Sequence, residues 1–153
     1  MSLQDRLYED MKTALKAREA GKIRLSVIRM SRAALKNRAI DLGHDLTDDE
    51  IIEVLAKELK MRRDAILEYQ RAGRQERVAE LEAEINILEE YLPQQLNRDE
   101  ITQLAHEVLV SVRANSERDL GKVMGVLMPK LKGRADGKLV NQIVRDLLKS
   151  EQK

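Results

Sequence analysis

Apolar side chains recur at every third or fourth position along most of this sequence, the spacing that places them on one face of an α-helix. No stretch alternates apolar and polar residues in the manner of a half-buried strand. The pattern therefore predicts an all-α fold. The predicted helical segments are 3–18, 22–42, 47–72, 78–92, 101–109, 120–127 and 139–148. Their order predicts an N-terminal bundle of about four helices, followed by a small C-terminal three-helix domain.

Capping residues and a proline set the boundaries between these segments. Thr47 precedes Glu50 by three residues, a spacing that predicts a capping box at a helix start. Asn97 and Glu100 form a second such pair. Pro93 disfavours helical geometry at the residue before it, so the preceding helix should end there. The two predicted domains are residues 1–92 and 93–153.

Composition narrows the class of protein. Of 153 residues, 42% are hydrophobic and 36% charged, so the chain is long enough to bury a core. The absence of cysteine excludes disulfides, thiolate catalysis and cysteine-ligated metals. A net charge of +1 means that attraction to nucleic acid must come from local clusters. No segment approaches the ~20 apolar residues of a membrane span, so we expect a cytoplasmic protein without membrane contact.

The strongest basic segment covers residues 12–38, where nine basic side chains stand against one acid, Glu19. Four of the cations share a narrow stripe on the second predicted helix, with an apolar face beside it. The stripe is Lys22, Arg29, Arg32 and Lys36, and the apolar face is Ile23, Val27, Met30 and Ala34. One hypothesis is that the stripe follows RNA phosphates. The other is that the acid-rich segments 41–53 and 76–90 neutralise it.

A second basic cluster surrounds the turn between the last two predicted helices. Its cations are Lys122, Lys130, Lys132, Arg134 and Lys138. Gly133 can take the left-handed conformation that ends a helix, and Asp136 can cap the next one. The cations and the first N–H groups of the last helix would then face an RNA phosphate. The alternative is that these residues serve only as helix stop, cap and counter-charge.

Two pairs of residues in the sixth predicted helix carry expectations about packing. Gly121 and Gly125 lie four residues apart on one face, a spacing that would let another backbone approach closely within the fold. Met124 and Met128 have the same spacing, and we expect them to fill the core rather than line a groove for a partner helix.

The sequence also resembles a known family. The run from Pro129 to Lys138, with Met124 before it and Asn141 after it, is similar to the signature of the YqeY family. Earlier stretches extend the resemblance over nearly the whole chain: Arg24–Arg29, Arg62–Asp64, Tyr69–Arg74 and Glu89–Pro93. That family is similar in turn to the C-terminal helical and tail region of the B subunit of the tRNA-dependent amidotransferase. The resemblance implies a helical fold and a tRNA-related role.

The same resemblance implies particular binding residues. The tail of the amidotransferase subunit is thought to grip the tRNA body, and the catalytic parts of that enzyme have no match here. The positions that match the tail motif are Lys132, Gly133, Arg134, Asp136, Lys138 and Asn141. The charge pattern adds Lys122 and Lys130 to these candidate RNA contacts.

Catalytic chemistry finds little support in the sequence. His44 and His106 are 62 positions apart in different parts of the chain, without a nucleophile or second ligand at useful spacing. The run Gly133–Lys138 lacks the Ser or Thr and the preceding strand of a phosphate-binding P-loop. The acids at 48–50 suit the first turn of a helix better than a metal site. We therefore predict no catalytic residue, no metal and no cofactor.

The sequence predicts a non-catalytic, tRNA-associated binding module whose turn from Lys130 to Lys138 contacts the sugar-phosphate backbone. The three tyrosines lie outside the turn, so we expect recognition of shape and phosphate, and no DNA sequence recognition. One alternative is an adaptor that docks on an aminoacyl-tRNA synthetase or amidotransferase through Met124, Met128 or the third helix. Another is an accessory to amide transfer that is active only in a larger assembly.

Overall fold

The computed structural model describes residues 1–151, and every regular element within that range is helical. The predicted all-α fold class is confirmed. The seven α-helices are α1 (Leu3–Lys16), α2 (Lys22–Leu42), α3 (Asp48–Arg71), α4 (Gln75–Glu89), α5 (Arg98–Ser111), α6 (Leu120–Leu131) and α7 (Gly137–Glu151). Short 3₁₀ turns at Arg18–Gly21 and Glu117–Asp119 precede α2 and α6. Of the helices described, none is long and apolar enough to cross a bilayer.

Capping boxes start three of the helices. The Thr47 hydroxyl accepts from the Glu50 N–H at 3.2 Å, and the Glu50 carboxylate accepts from the Thr47 N–H at 2.9 Å. Asn97 makes the same reciprocal pair with Glu100 at the start of α5. Both predicted boxes are confirmed, and each fixes where its helix begins because it satisfies N–H groups that have no partner inside the helix.

The chain folds into two compact units, Met1–Pro93 and a second unit from Gln94 onward. In the N-terminal unit, α3 and α4 pack side by side, α2 packs on α1, α3 and α4, and α1 also contacts α3. Their shared core consists of Leu7, Val27, Ile28, Leu35, Ile51, Leu55, Leu59, Ile85, Leu88, Tyr91 and Leu92.

The face that α2 buries coincides only in part with the apolar face of Ile23, Val27, Met30 and Ala34. Ile23 and Met30 are 48% and 51% exposed, whereas Ile28 and the polar Ser31 are buried. Of the apolar face seen in the sequence, Val27 is buried, whereas Ile23 and Met30 remain on the surface. Because α2 packs against α1 on one side and α3 and α4 on the other, the buried stripe follows the neighbouring helices rather than the densest apolar run.

The first helix is also shorter than predicted. It ends at Lys16 rather than Arg18, because Arg18 has a positive φ of 53° that cannot continue an α-helix. The following turn brings Gly21 against the backbone of Ala14, and both residues are buried. This close approach joins the end of α1 to the start of α2.

Residues at the end of α4 tie three other helices together. The Glu90 carboxylate lies 2.7 Å from the Arg24 guanidinium of α2, and Glu89 lies 3.2 Å from Arg63 of α3. The buried Tyr91 donates its hydroxyl to Asp10 of α1. Burial, and then the neighbouring Asp10 carboxylate, raise the pKa of Tyr91 to about 12.

One arginine occupies the interior of the N-terminal unit. Arg62 is 5% exposed, and its guanidinium lies 3.1 Å from the Glu58 carboxylate and 3.7 Å from that of Glu84. Its charge is therefore compensated by two carboxylates from α3 and α4, as a buried cation requires. The apolar pattern of α3 did not reveal this ion cluster.

In the C-terminal unit, α5, α6 and α7 pack pairwise around one core. Met124 and Met128 are partly buried against that core, so the predicted filling role is confirmed. The buried residues are Ile101, Ala105, Val108, Leu109, Ala114, Val123, Leu127, Leu131, Val140, Ile143, Val144 and Leu148.

The glycine pair of α6 does not pack as predicted. Gly121 and Gly125 are exposed, and a Cβ added to either would meet no atom within 4 Å. No element of the described chain approaches this face of α6, because its packing face carries Val123, Leu127 and Leu131 instead.

Candidate nucleic-acid interface

The basic turn joins α6 to α7 through a left-handed glycine and a capping aspartate. Gly133 has φ of 73°, which favours glycine because a side chain is strained there. The Asp136 carboxylate accepts from the Lys138 N–H at 3.0 Å, within the first turn of α7. Both structural roles predicted for these residues are confirmed, and they hold the turn in one conformation.

The segment before α5 braces the same turn. The Gln95 amide donates to the Gly133 carbonyl at 2.6 Å, and the Leu96 N–H donates to the Arg134 carbonyl at 2.9 Å. The Arg134 guanidinium returns a bond to the Gln94 carbonyl at 3.2 Å. These three contacts fix the backbone of the turn to the start of the C-terminal unit. Sequence reasoning missed them, although the two glutamines directly after Pro93 were a polar signal.

Besides Gly133 and Asp136, two further predicted RNA contacts are engaged within the protein. The Nε of Arg134 is used in the brace, and the side chain is partly buried. The Asn141 amide oxygen accepts from Arg145 Nε at 2.7 Å along α7. Arg134 thus holds the turn and leaves its two terminal nitrogens for a ligand, while Asn141 positions Arg145.

The lysines of the cluster are displayed outward. Lys122, Lys130, Lys132 and Lys138 are all exposed. Across residues 1–151, neither Lys122, Lys130 nor Lys138 forms a salt bridge. Residues 120–145 contain six basic side chains and one acid, Asp136, whose carboxylate bonds a backbone N–H. Lys130, Lys132 and Lys138 therefore give the turn a positively charged surface, whereas Lys122 lies at the opposite end of α6 and is not brought beside them.

The basic stripe on α2 is also on the surface. Lys22, Arg29 and Lys36 are exposed and make no salt bridge within the described chain. The Arg32 guanidinium lies 5.1 Å from the centre of the Tyr8 ring. Neutralisation of the stripe by the acid-rich segments 41–53 and 76–90 therefore stays a prediction, which no salt bridge of these three cations among residues 1–151 supports. Glu90 of the second segment pairs with Arg24, a cation of α2 outside the stripe.

The two histidines lie in different compact units, His44 in the first and His106 in the second. His44 is exposed and its Nε2 lies 3.6 Å from the Glu50 carboxylate. Backbone hydrogen bonding from Thr47 lowers the pKa of Glu50, and the nearby His44 adds a smaller effect in the same direction. His106 is exposed on α5. Among residues 1–151, no group of three or more His, Asp or Glu side chains is arranged to hold a metal.

Comparison with known proteins identifies the family. The sequence pattern of the family described as Yqey-like protein matches residues 4–148. The chain belongs to the YqeY family. The resemblance seen in the sequence is thereby confirmed, and it extends across both compact units.

Two relatives place the YqeY chain among larger proteins. Altered inheritance of mitochondria protein 41 of Pyrenophora tritici-repentis, a mitochondrial protein by name, is 27% identical over 146 residues. That match covers 94% of this chain and 79% of the relative. A glutamyl-tRNA(Gln) amidotransferase subunit of Aeropyrum pernix is 39% identical over 66 residues, which cover 38% of this chain but only 10% of that protein.

Several of the stretches that resembled the YqeY family meet in the structure. Arg24 pairs with Glu90, and Arg63 pairs with Glu89. The turn from Pro129 to Lys138 is held by its own brace. These contacts belong to the fold itself, whereas the exposed Lys130 and Lys138 form no salt bridge within the described chain.

Proposed function

We propose that this YqeY chain is a non-catalytic RNA-binding module that holds tRNA through the basic turn of its C-terminal unit. The observation that carries the proposal is the display of Lys130 and Lys138 beside a braced turn, without carboxylate partners in the described chain. Exposed cations that are already positioned bind a polyanion at a small entropic cost, because the backbone that carries them is ordered beforehand.

The mode of binding follows from the side chains present. Lysine ammonium groups contact phosphates as point charges and release counterions from the RNA. The three tyrosines of the chain belong to the N-terminal unit, and the chain has no Phe or Trp, so no phenyl, phenol or indole ring of the C-terminal unit can stack an unpaired base beside the turn. The turn would therefore read the shape and phosphate spacing of a folded RNA rather than its base sequence.

The choice of tRNA rests on the relative whose name includes it. Part of the chain is similar to a small part of a glutamyl-tRNA(Gln) amidotransferase subunit. Because the match covers 10% of that subunit, its amide-transfer chemistry does not come with it. Association with an amidotransferase is the corresponding proposal for a protein partner.

The experiment is binding of purified protein to total tRNA across a salt series. The native protein is compared with Lys130→Glu/Lys138→Glu and with a control, Arg113→Glu/Lys149→Glu, which changes the net charge equally. Arg113 and Lys149 are both exposed. Arg113 follows the end of α5 and Lys149 lies near the end of α7, whereas the turn lies at the start of these two helices. Each phosphate contact contributes about 0.7 to 0.9 to the slope of log K against log salt.

We expect the first variant to flatten that slope by about 1.5 and the control to leave it nearly unchanged. Equal losses in both variants would mean that only the net charge matters. Native protein without measurable tRNA binding would refute the proposal.

An adaptor function is the second candidate, and one observation favours it. Met30 and Met61 expose 51% and 56% of their surface on α2 and α3, and flexible methionines suit a protein partner. Met124 and Met128 do not form an open groove for a partner helix, because they pack against the core. They therefore give the adaptor function no support. A partner recovered with native protein in high salt and lost with Met30→Ser/Met61→Ser would favour the adaptor.

A further inference from the structure

The N-terminal unit carries a second cationic surface, which we call the α1–α2 surface. It comprises Lys22, Arg29, Arg32 and Lys36 of α2 with Tyr8 and Lys12 of α1. All but Lys12 are exposed, and the Lys12 side chain retains 44% of its exposure. From Lys22 to Ile40 the sequence contains six basic residues and no acid.

We propose that the α1–α2 surface is a second RNA-binding site, which holds one strand of sugar-phosphate backbone along α2. This inference rests on the proposed function for the identity of the polyanion, but its residues belong to the other compact unit. Lys22, Arg29 and Lys36 recur every seven residues, so they form a row on one face of the helix.

The length of the row selects the kind of ligand. Fourteen residues separate Lys22 from Lys36, and a rise of 1.5 Å per residue places their Cα atoms about 21 Å apart along α2. A free phosphate or a single nucleotide is too small to reach the whole row. A strand with a regular series of phosphates matches it.

Tyr8 positions two further cations beside the row. Lys12 Nζ lies 4.8 Å and Arg32 Cζ 5.1 Å from the centre of its ring, within the range of cation–π attraction. The Arg32 guanidinium also lies 3.1 Å from the Met11 sulfur. These contacts restrict long side chains that would otherwise lose entropy on binding, so Tyr8 is a positioning residue of the site.

The acids near the surface leave most of its charge uncompensated. Glu9 pairs with Lys12 at 2.9 Å, which raises the pKa of that lysine. Asp5 accepts from the N–H of Ser2, and Asp10 accepts from Tyr91. Glu19 is the remaining acid of the segment 12–38, and it makes no salt bridge in the described chain. The row on α2 therefore keeps its positive charge.

A groove between α1 and α2 adjoins the end of the row. Its volume is about 490 Å³, and its lining includes Leu7, Ala33 and Ala39 with Arg32 and Lys36 beside them. Sites of about 300 to 1,000 Å³ accept small ligands, so this groove is large enough for one nucleobase. Walls of mixed apolar and polar groups beside two cations suit an unpaired nucleotide, whose base has apolar faces and polar edges and whose phosphate is anionic.

An RNA strand fits these features better than a lipid surface. A membrane-binding helix inserts large apolar side chains between its cations. On α2 the residues between the cations of the row are Ser26 and Ala33, which are exposed and small. The exposed apolar side chains Ile23 and Met30 lie on the neighbouring face of α2, and Ile40 follows Lys36 by one turn. Between its cations, the face of the row itself offers only small side chains to a backbone that lies along the helix.

The test compares tRNA binding by native protein, Arg29→Glu/Lys36→Glu and a control, Lys57→Glu/Lys60→Glu. The control makes the same charge change on α3, where neither lysine forms a salt bridge in the described chain. We expect the stripe variant to lose about tenfold in affinity and about 1.5 in salt slope, and the control to lose neither. Equal losses, or no loss in the stripe variant, would overturn the proposal.

Two Tyr8 variants examine the positioning role. Tyr8→Phe keeps the ring face that attracts Lys12 and Arg32, so its affinity should equal that of native protein. Tyr8→Ala removes the ring and should weaken binding severalfold with the same helicity. Equal affinities of the two variants would overturn the role of the ring.

The source of the polyanion is tested in parallel with vesicles of equal parts phosphatidylcholine and phosphatidylserine. Sedimentation of native protein with these vesicles, together with tRNA affinity that is unaffected by Arg29→Glu/Lys36→Glu, would replace the RNA proposal by a membrane one.

The proposal for the turn and the proposal for the α1–α2 surface can be refuted separately. Loss of binding only with Arg29 and Lys36 variants refutes the turn, and loss only with Lys130 and Lys138 variants refutes the α1–α2 surface.

Discussion

Replacement of Gly21 by alanine is expected to destabilise the N-terminal unit more than any exposed substitution in the chain. A Cβ at this position would lie 2.2 Å from the Ala14 carbonyl oxygen and 2.8 Å from its Cα. Heavy atoms in favourable contact lie about 3.5 Å or more apart. The added Cβ would therefore be closer to the Ala14 oxygen than a favourable contact allows by about 1 Å. The obstacle is backbone, which cannot rotate away as a side chain can.

The cost follows from what must move. Relief of the overlap requires the last turn of α1 to separate from the start of α2, which disturbs the buried Ala14 and its neighbours. Overpacking of a core costs about 1 to 3 kcal/mol, and a backbone obstacle places Gly21→Ala near the upper end. For a unit of this size, about 3 kcal/mol lowers the melting temperature by on the order of 12 to 24 °C.

A matched glycine provides the control. Gly125 is exposed inside α6, and an added Cβ would meet nothing within 4 Å. Gly125→Ala should therefore stabilise the C-terminal unit by about 0.5 to 1 kcal/mol, since alanine restricts the unfolded chain and favours helix.

Thermal melts followed by far-UV circular dichroism give the overall stability, and hydrogen exchange read by mass spectrometry assigns it to each unit. We expect faster exchange in α1 and α2 of Gly21→Ala and slower exchange in α6 of Gly125→Ala. A Gly21→Ala protein with native melting temperature and native exchange in α1 would refute the reasoning.

Two further predictions concern single hydrogen bonds. Tyr91→Phe removes the bond to Asp10 and should cost about 1 kcal/mol at neutral pH. Because the pKa of Tyr91 is raised from 10.0 to about 12, its contribution is present below pH 10 and lost as the pH rises to 12. Urea titrations of native and variant protein should therefore converge over that range, and a constant difference would contradict the assignment. Gln95→Ala removes the donor to the Gly133 carbonyl and should cost about 1 kcal/mol. It should also speed hydrogen exchange in the turn, whereas unchanged exchange there would show that the brace is unnecessary.

Local rules predicted the helices of this YqeY chain well. The capping boxes at Thr47 and Asn97 are determined by residues three positions apart, so they are visible in the sequence. The left-handed Gly133 and the capping Asp136 are local in the same sense. Each involves only neighbours along the chain.

Features that depend on distant contacts escaped prediction. On α2, Ser31 is buried and Met30 is exposed, because the positions of α1, α3 and α4 determine which face of α2 is covered. Likewise, the backbone of α1 lies close to Gly21, whereas no atom lies close to a Cβ added at Gly125. This difference depends on how α1 packs against the start of α2.

The candidate site divides in the same way. The cluster of cations around the turn was visible in composition, because charge density is a property of sequence. The brace is not, since Gln95 meets Gly133 from 38 positions away. That long-range contact also explains why Arg134, predicted as an RNA contact, uses its Nε to hold the Gln94 carbonyl.

The most direct measurement of the central claim is lysine reactivity with and without tRNA. Native protein is acetylated at low reagent concentration in both states, and each lysine is quantified by mass spectrometry. We predict that tRNA protects Lys130 and Lys138, whereas Lys57 and Lys149 react equally in both states. Equal reactivity of the turn lysines in the presence of saturating tRNA would contradict the account.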